Sequence, residues 1–158
     1  MLGKTLTVRA SALTKAEKRL RWAAVVCAAA VAIHGADHLR RGITAEPWSV
    51  QVAGTLQLIL VGLSVWMTFS RRPGAAELAI AVGYFGAVGF AYAHLLPDWF
   101  HFLSDSFISP PQRGVTWFSW VTAVLEIGAD ALYGTAGVYA YREYHAGAGL
   151  TRRRKPTS

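Results

Sequence analysis

Thiols are almost missing from this chain. Cys27 is the single cysteine among 158 residues, so no intramolecular disulfide can close and no cysteine-rich metal cluster can be built. Charge is scarce too. Asp, Glu, Lys and Arg make up 16% of the sequence, below the roughly 25% of ordinary soluble domains, while apolar residues reach 53%. A chain this short forms one domain and cannot hide that much apolar surface from water. The composition therefore argues against a soluble globule and predicts a lipid surrounding. Acids are the rarer sign, nine against sixteen Lys and Arg, for a net charge of +7. Such an excess invites a nucleic-acid reading at Arg152-Arg153-Arg154-Lys155. No aromatic or fold motif accompanies that run, and nucleic acid is not an expected partner. The run reads as a positive flank that touches anionic headgroups.

What the sequence has in quantity is long apolar runs. A membrane-crossing helix needs about 20 mostly apolar residues, and four segments qualify: 20–39, 50–69, 75–96 and 115–141. Breakers part them, at 42–47, at Arg71-Arg72-Pro73-Gly74 and at Pro110-Pro111-Gln112-Arg113-Gly114. The fold class this predicts is an all-α integral membrane protein, a four-transmembrane-helix bundle over residues 20–141 between basic tails at 1–19 and 142–158. With the amino end inside, Lys4, Arg9, Lys15, Lys18, Arg19, Arg21, Arg71, Arg72, Arg142 and the basic run 152–155 all fall on the cytoplasmic side. Only Arg40, Arg41 and Arg113 fall outside. Both termini are thus expected in the cytoplasm and the protein in the plasma (inner) membrane. A rival reading takes the first span as a cleaved signal, with a basic start, an apolar run from Trp22 to Ile33 and Ala30-Val31-Ala32 as the cut. The helical pattern continuing past that cut favours a retained span. Small residues at Ala28, Ala32, Ala36 and at Ala79, Gly83, Ala87, Ala91 predict close helix packing.

Ionisable residues recur inside these runs, where they are costly and tend to face the bundle interior. His34, Asp37, His38 and Arg41 share one helical face by spacing. His94, Asp98, His101 and Asp105 would form a second stripe if the third helix continued through Pro97. Ser119, Thr122, Glu126, Asp130 and Tyr133 form a third. At about 1.5 Å of rise per residue, Glu126 lies roughly 16 Å below the outer end of its span. Two carboxylates one turn apart at that depth, Glu126 and Asp130, must be protonated, paired or bound to a cation. Arg41 has Asp37 and Asp98 as candidate partners. The interfacial Trp22, Trp48, Trp99 and Trp117 sit near span ends.

Imidazole and carboxylate without thiolate suit a divalent transition metal such as Zn, Fe or Mn. The candidate ligands are His34, Asp37, His38, His94 and Asp98, with His101 and Asp105 further out in the series. An open position on such an ion would activate water, with Glu126 as proton shuttle and Asp130 beside it. The scattered His, Asp and Ser are similar in kind, though in no alignable motif, to those of intramembrane zinc hydrolases such as the alkaline ceramidases, which have more spans. A haem between His34 and His94 is a weaker fit, because its surroundings would be acidic. Two other classes stay open: a proton or cation pathway through Glu126 and Asp130, and a non-catalytic accessory subunit docked on a membrane-protein partner or on a second copy of itself.

Overall fold

The computed structural model describes residues 12–99 and 101–153; the basic residues Lys4, Arg9, Arg154 and Lys155 lie outside them. Among the described residues the chain is all helical. Four long helices follow one another: α1 Lys15–Arg41, α2 Trp48–Phe69, α3 Ala75–Leu95 and α4 Trp117–Arg153, with a short 3-10 turn at Ile43–Ala45.

Local chemistry sets the ends. Thr14 and Glu17 make a reciprocal capping box that starts α1, Glu17 N donating to Thr14 Oγ1 at 3.1 Å and Thr14 N to Glu17 Oε2 at 2.7 Å. Gly42, at φ 96°, ends it and donates to His38 O and Leu39 O. Pro47 precedes α2, and Gly74, in the left-handed region at φ 81°, precedes α3. The α1 helix runs unbroken through Ala30-Val31-Ala32. At Pro97 the third helix has already stopped, and the following segment turns back on the bundle, with Asp105 N donating to Ala93 O and Phe107 N to His94 O, both at 3.0 Å. The loop thereby satisfies carbonyls that the end of α3 would leave bare. A helical stripe continuing through His101 and Asp105 is therefore not formed.

Helices α1, α2 and α3 are each long and apolar enough to cross a membrane. The fourth is not by that measure, and the reason is visible in its burial. Ser119, Thr122, Glu126, Asp130 and Tyr133 are all buried, whereas Val121, Val124, Leu125 and Leu132 point outward. The polar stripe lowers the helix's average hydropathy while its outer face stays apolar.

The core is built of small residues. Leu20, Ala23, Ala24 and Cys27 of α1 meet Ala76, Ala79 and Val82 of α3 and Tyr133, Ala136 and Ala140 of α4. On α3 the expected small-residue face is partly right, since Ala79 and Gly83 are buried. On α1 it is displaced: Ala32 and Ala36 are exposed, and the packed face passes through Cys27 instead. The closest approach is between α3 and α4, where a Cβ at Gly83 would collide with the backbone of Asp130 and Gly134. Backbone cannot step aside, so Gly83→Ala should lower unfolding stability in detergent by about 1–3 kcal/mol as overpacking, despite the ~1 kcal/mol helix-propensity gain. Gly89→Ala, where a Cβ meets nothing within 4 Å, serves as control and should not destabilise. Equal stability of the two variants would count against this α3–α4 contact.

Candidate metal centre

Three histidines from two helices converge at one end of the bundle. His34 and His38 lie one turn apart on α1, and His94 is the penultimate residue of α3. Their Nε2 atoms face one another: His34 to His94 at 3.1 Å and His38 to His34 at 3.0 Å. His34 and His94 are buried, while His38 is 19% exposed. Phe90 stacks on His94 with ring centroids 5.9 Å apart, and Phe107 packs on it at 4.7 Å.

The Nδ1 atoms decide what the Nε2 atoms can be. Thr122 Oγ1 donates to Ser119 O at 3.1 Å, so toward His34 Nδ1, 3.2 Å away, it must accept. His94 Nδ1 faces the carbonyl oxygen of Asp105 at 3.2 Å, and a carbonyl only accepts. His38 Nδ1 lies 3.0 Å from Glu46 Oε2. His34 and His94 therefore carry their proton on Nδ1, and their Nε2 lone pairs face one another beside Nε2 of His38, whose own Nδ1 makes no hydrogen bond. Neutral imidazoles so arranged repel. A cation at their centre would relieve that repulsion, in the manner of metal-bound histidines whose far nitrogen is held by an oxygen.

Glu126 sets a carboxyl group beside them. Its Oε2 is 4.0 Å from His34 Nε2, and both of its carboxylate oxygens are buried without a hydrogen-bond partner. One turn further along α4, Asp130 Oδ1 accepts from Cys27 Sγ at 3.1 Å, while Oδ2 has no partner. Below that, the Tyr133 hydroxyl meets Ser64 at 2.7 Å and Thr68 at 3.2 Å.

A second group, His38, Glu46 and Asp105, also has its ligand atoms close together. Its charge is already matched. Arg41 grips both Asp105 oxygens at 2.5 Å, and the whole carboxylate is buried. Burial alone would raise the Asp105 carboxyl, but its bonds to Arg41 and His94 and the Arg41 charge outweigh this and hold it below the usual carboxylate range. Asp105 is a holder of His94 more than a free ligand.

Of the residues marked in the sequence, His34, His38, His94 and Glu126 come together, with Asp105 directly behind them. Asp37 is buried but bound elsewhere, its Oδ1 accepting from Arg40 Nε at 2.9 Å. The Arg40 guanidinium also reaches Gly114 O, Thr116 and Ser119 and ties the end of α1 to the start of α4. Asp98 pairs at the surface with His101 at 2.8 Å, apart from the cluster. Arg41 thus takes Asp105 as its partner, not Asp37 or Asp98. Glu46 carries no signal in the sequence, because it lies in the turn after α1, where no periodicity operates. Cys27 had a signal, since it falls seven residues before His34 on the same face. No protein family, curated protein or solved structure matches this chain.

Proposed function

We propose that this chain is a four-span plasma-membrane protein that binds one divalent transition-metal ion through His34, His38 and His94 and works as a metal-dependent intramembrane hydrolase. The observation that carries the reading is the convergence of three Nε2 atoms beside a Glu126 carboxyl group that has no hydrogen-bond partner. A network that merely locked helix register would close its hydrogen bonds, and here both Glu126 carboxylate oxygens stay without one. Three protein ligands and a free position are the pattern of catalytic zinc rather than closed structural sites. Zn, Fe and Mn all accept such a donor set. The ion would supply Lewis acidity and a bound water acidic enough to lose a proton near neutrality. Glu126, buried and without a hydrogen-bond partner, is placed to take that proton. Haem does not fit. His34 and His94 Nε2 are 3.1 Å apart, closer than two axial nitrogens, which stand about 4 Å apart at twice an ordinary metal–imidazole bond.

The fourth span and the cytoplasmic termini belong to the same proposal. The inward polar stripe of α4 and its apolar outer face support membrane insertion. Trp22, Trp48, Trp99 and Trp117 are all strongly exposed near helix ends, as interfacial anchors are. The uneven placement of Lys and Arg supports the orientation.

The test is the elemental content of protein purified in mild detergent without a metal-affinity tag. About one equivalent of a transition metal per chain is the expected result. A protein that stays metal-free after exposure to Zn, Fe, Mn, Ni and Cu would sink the reading and favour an accessory subunit docked on a partner or a second copy.

A further inference from the structure

A cavity of about 770 Å³ lies between α1, α2 and α3, within the ~300–1,000 Å³ usual for small-molecule sites. Its origin is in the sequence. Helix α2 buries only Ser49, Val50, Val61, Ser64 and Thr68, so it is held toward its two ends and stands off in the middle. Gly35, Gly54 and Gly89 line the space, and a Cβ at any of them would meet nothing within 4 Å.

The polarity of the cavity is graded. His34, His38, His94, Glu46 and Glu126 border one end, and Val31, Leu58 and Phe85 the other. Gln57, the amide at the apolar end, already donates to Val82 O at 3.4 Å. From Phe85 to His94 the wall extends about 13 Å along the helix axis. Leu58 and Phe85 are exposed, so the space opens on the flank of the bundle, among residues that face lipid, and not only at its end.

We infer that this cavity holds one acyl chain of a bilayer lipid, its tail against Val31, Leu58 and Phe85 and its ester carbonyl at the three histidines. A hydrocarbon chain can enter sideways without meeting water, which a soluble ligand cannot do. The polar end offers an ion with a free position to a carbonyl oxygen, and the gradient from polar to apolar runs as a lipid's own does. The placement of the carbonyl rests on the metal reading above; the placement of the tail does not.

The experiment uses the full chain in nanodiscs of phosphatidylcholine bearing a diazirine at the end of one acyl chain, with the photoproducts mapped by mass spectrometry. Label is expected several-fold in excess at Leu58 over the comparably exposed Leu125 and Leu132 of α4, and at Phe85 by more than its greater exposure accounts for. Gly89→Trp, which fills the space, should abolish the excess while leaving bound metal unchanged. Gly54→Leu from the facing wall should reduce it independently, which separates filling from misfolding. His34→Ala should remove the metal and leave the tail label in place. Even labelling of α2, α3 and α4, or an excess that survives both filling variants, overturns the inference. Wild-type protein without metal overturns the hydrolase reading instead, and the tail label is then judged by itself.

Discussion

Asp105→Ala is expected to cost about 3–5 kcal/mol of unfolding free energy, the usual loss when one partner of a buried ion pair is removed. The Arg41 side chain is 1% exposed, and without Asp105 its guanidinium would remain buried without its bidentate partner. The same change withdraws an oxygen 3.4 Å from His94 Nδ1. Replacing both partners by apolar residues, Arg41→Met with Asp105→Leu, should recover most of the loss, because the desolvation cost then disappears with the charges. Chemical unfolding in detergent measures both. A loss under about 0.5 kcal/mol for Asp105→Ala, typical of surface sites, would mean the pair is solvated. The pH dependence follows with a definite sign. Asp105 has its carboxyl depressed below the ordinary 3.8 in the folded protein. Its contribution is therefore complete above that value and is lost as pH falls through the lower folded one. Acid unfolding should accordingly be less steep in Asp105→Asn than in the wild type.

Bound metal should vanish in His34→Ala and in His94→Ala alike. His34 Nε2 is the shared neighbour of the other two, so its loss leaves one imidazole on each of two helices, while loss of His94 leaves only the α1 pair and no ligand from α3. The more discriminating variant touches no ligand. Thr122→Val removes the acceptor that keeps the His34 proton on Nδ1, and partners of this kind are worth about 10–100-fold in metal affinity. Thr122→Ser should restore it. A merely structural threonine would alter stability without moving the affinity. Full metal retention in His34→Ala would show that the convergence of Nε2 atoms is not where the ion sits.

The helices could be read from the sequence because lipid-facing surface and breakers are both one-dimensional signals. The second and third spans are met within two residues, and α1 and α4 extend beyond their apolar stretches as capped or polar continuations. The pairing of His34 with His38, and the inward turn of Glu126, followed from helical spacing alone. What spacing could not supply is the return of the segment after Pro97. Pro97 forbids a helical continuation through its missing N–H and its bias on Leu96, but nothing in periodicity says that the chain folds back on Ala93 and His94. That return is why Asp105, and not Asp98, stands behind His94. The same limit hides Glu46. The tie between Cys27 and Asp130 bridges residues 103 apart in sequence, a separation over which no local pattern speaks.

The Thr122–His34 contact also orders the making of the protein. When the ribosome has delivered α1 to α3, the three histidines are already made, but His34 has no acceptor for its Nδ1 proton and Glu126 has yet to be synthesised. The tautomers that aim the lone pairs inward are fixed only once α4 is inserted and the segment before it closes over His94. On the proposed metal reading, metallation would therefore be a late event in biogenesis, and a chain stalled before its last helix would carry the ligands without the centre.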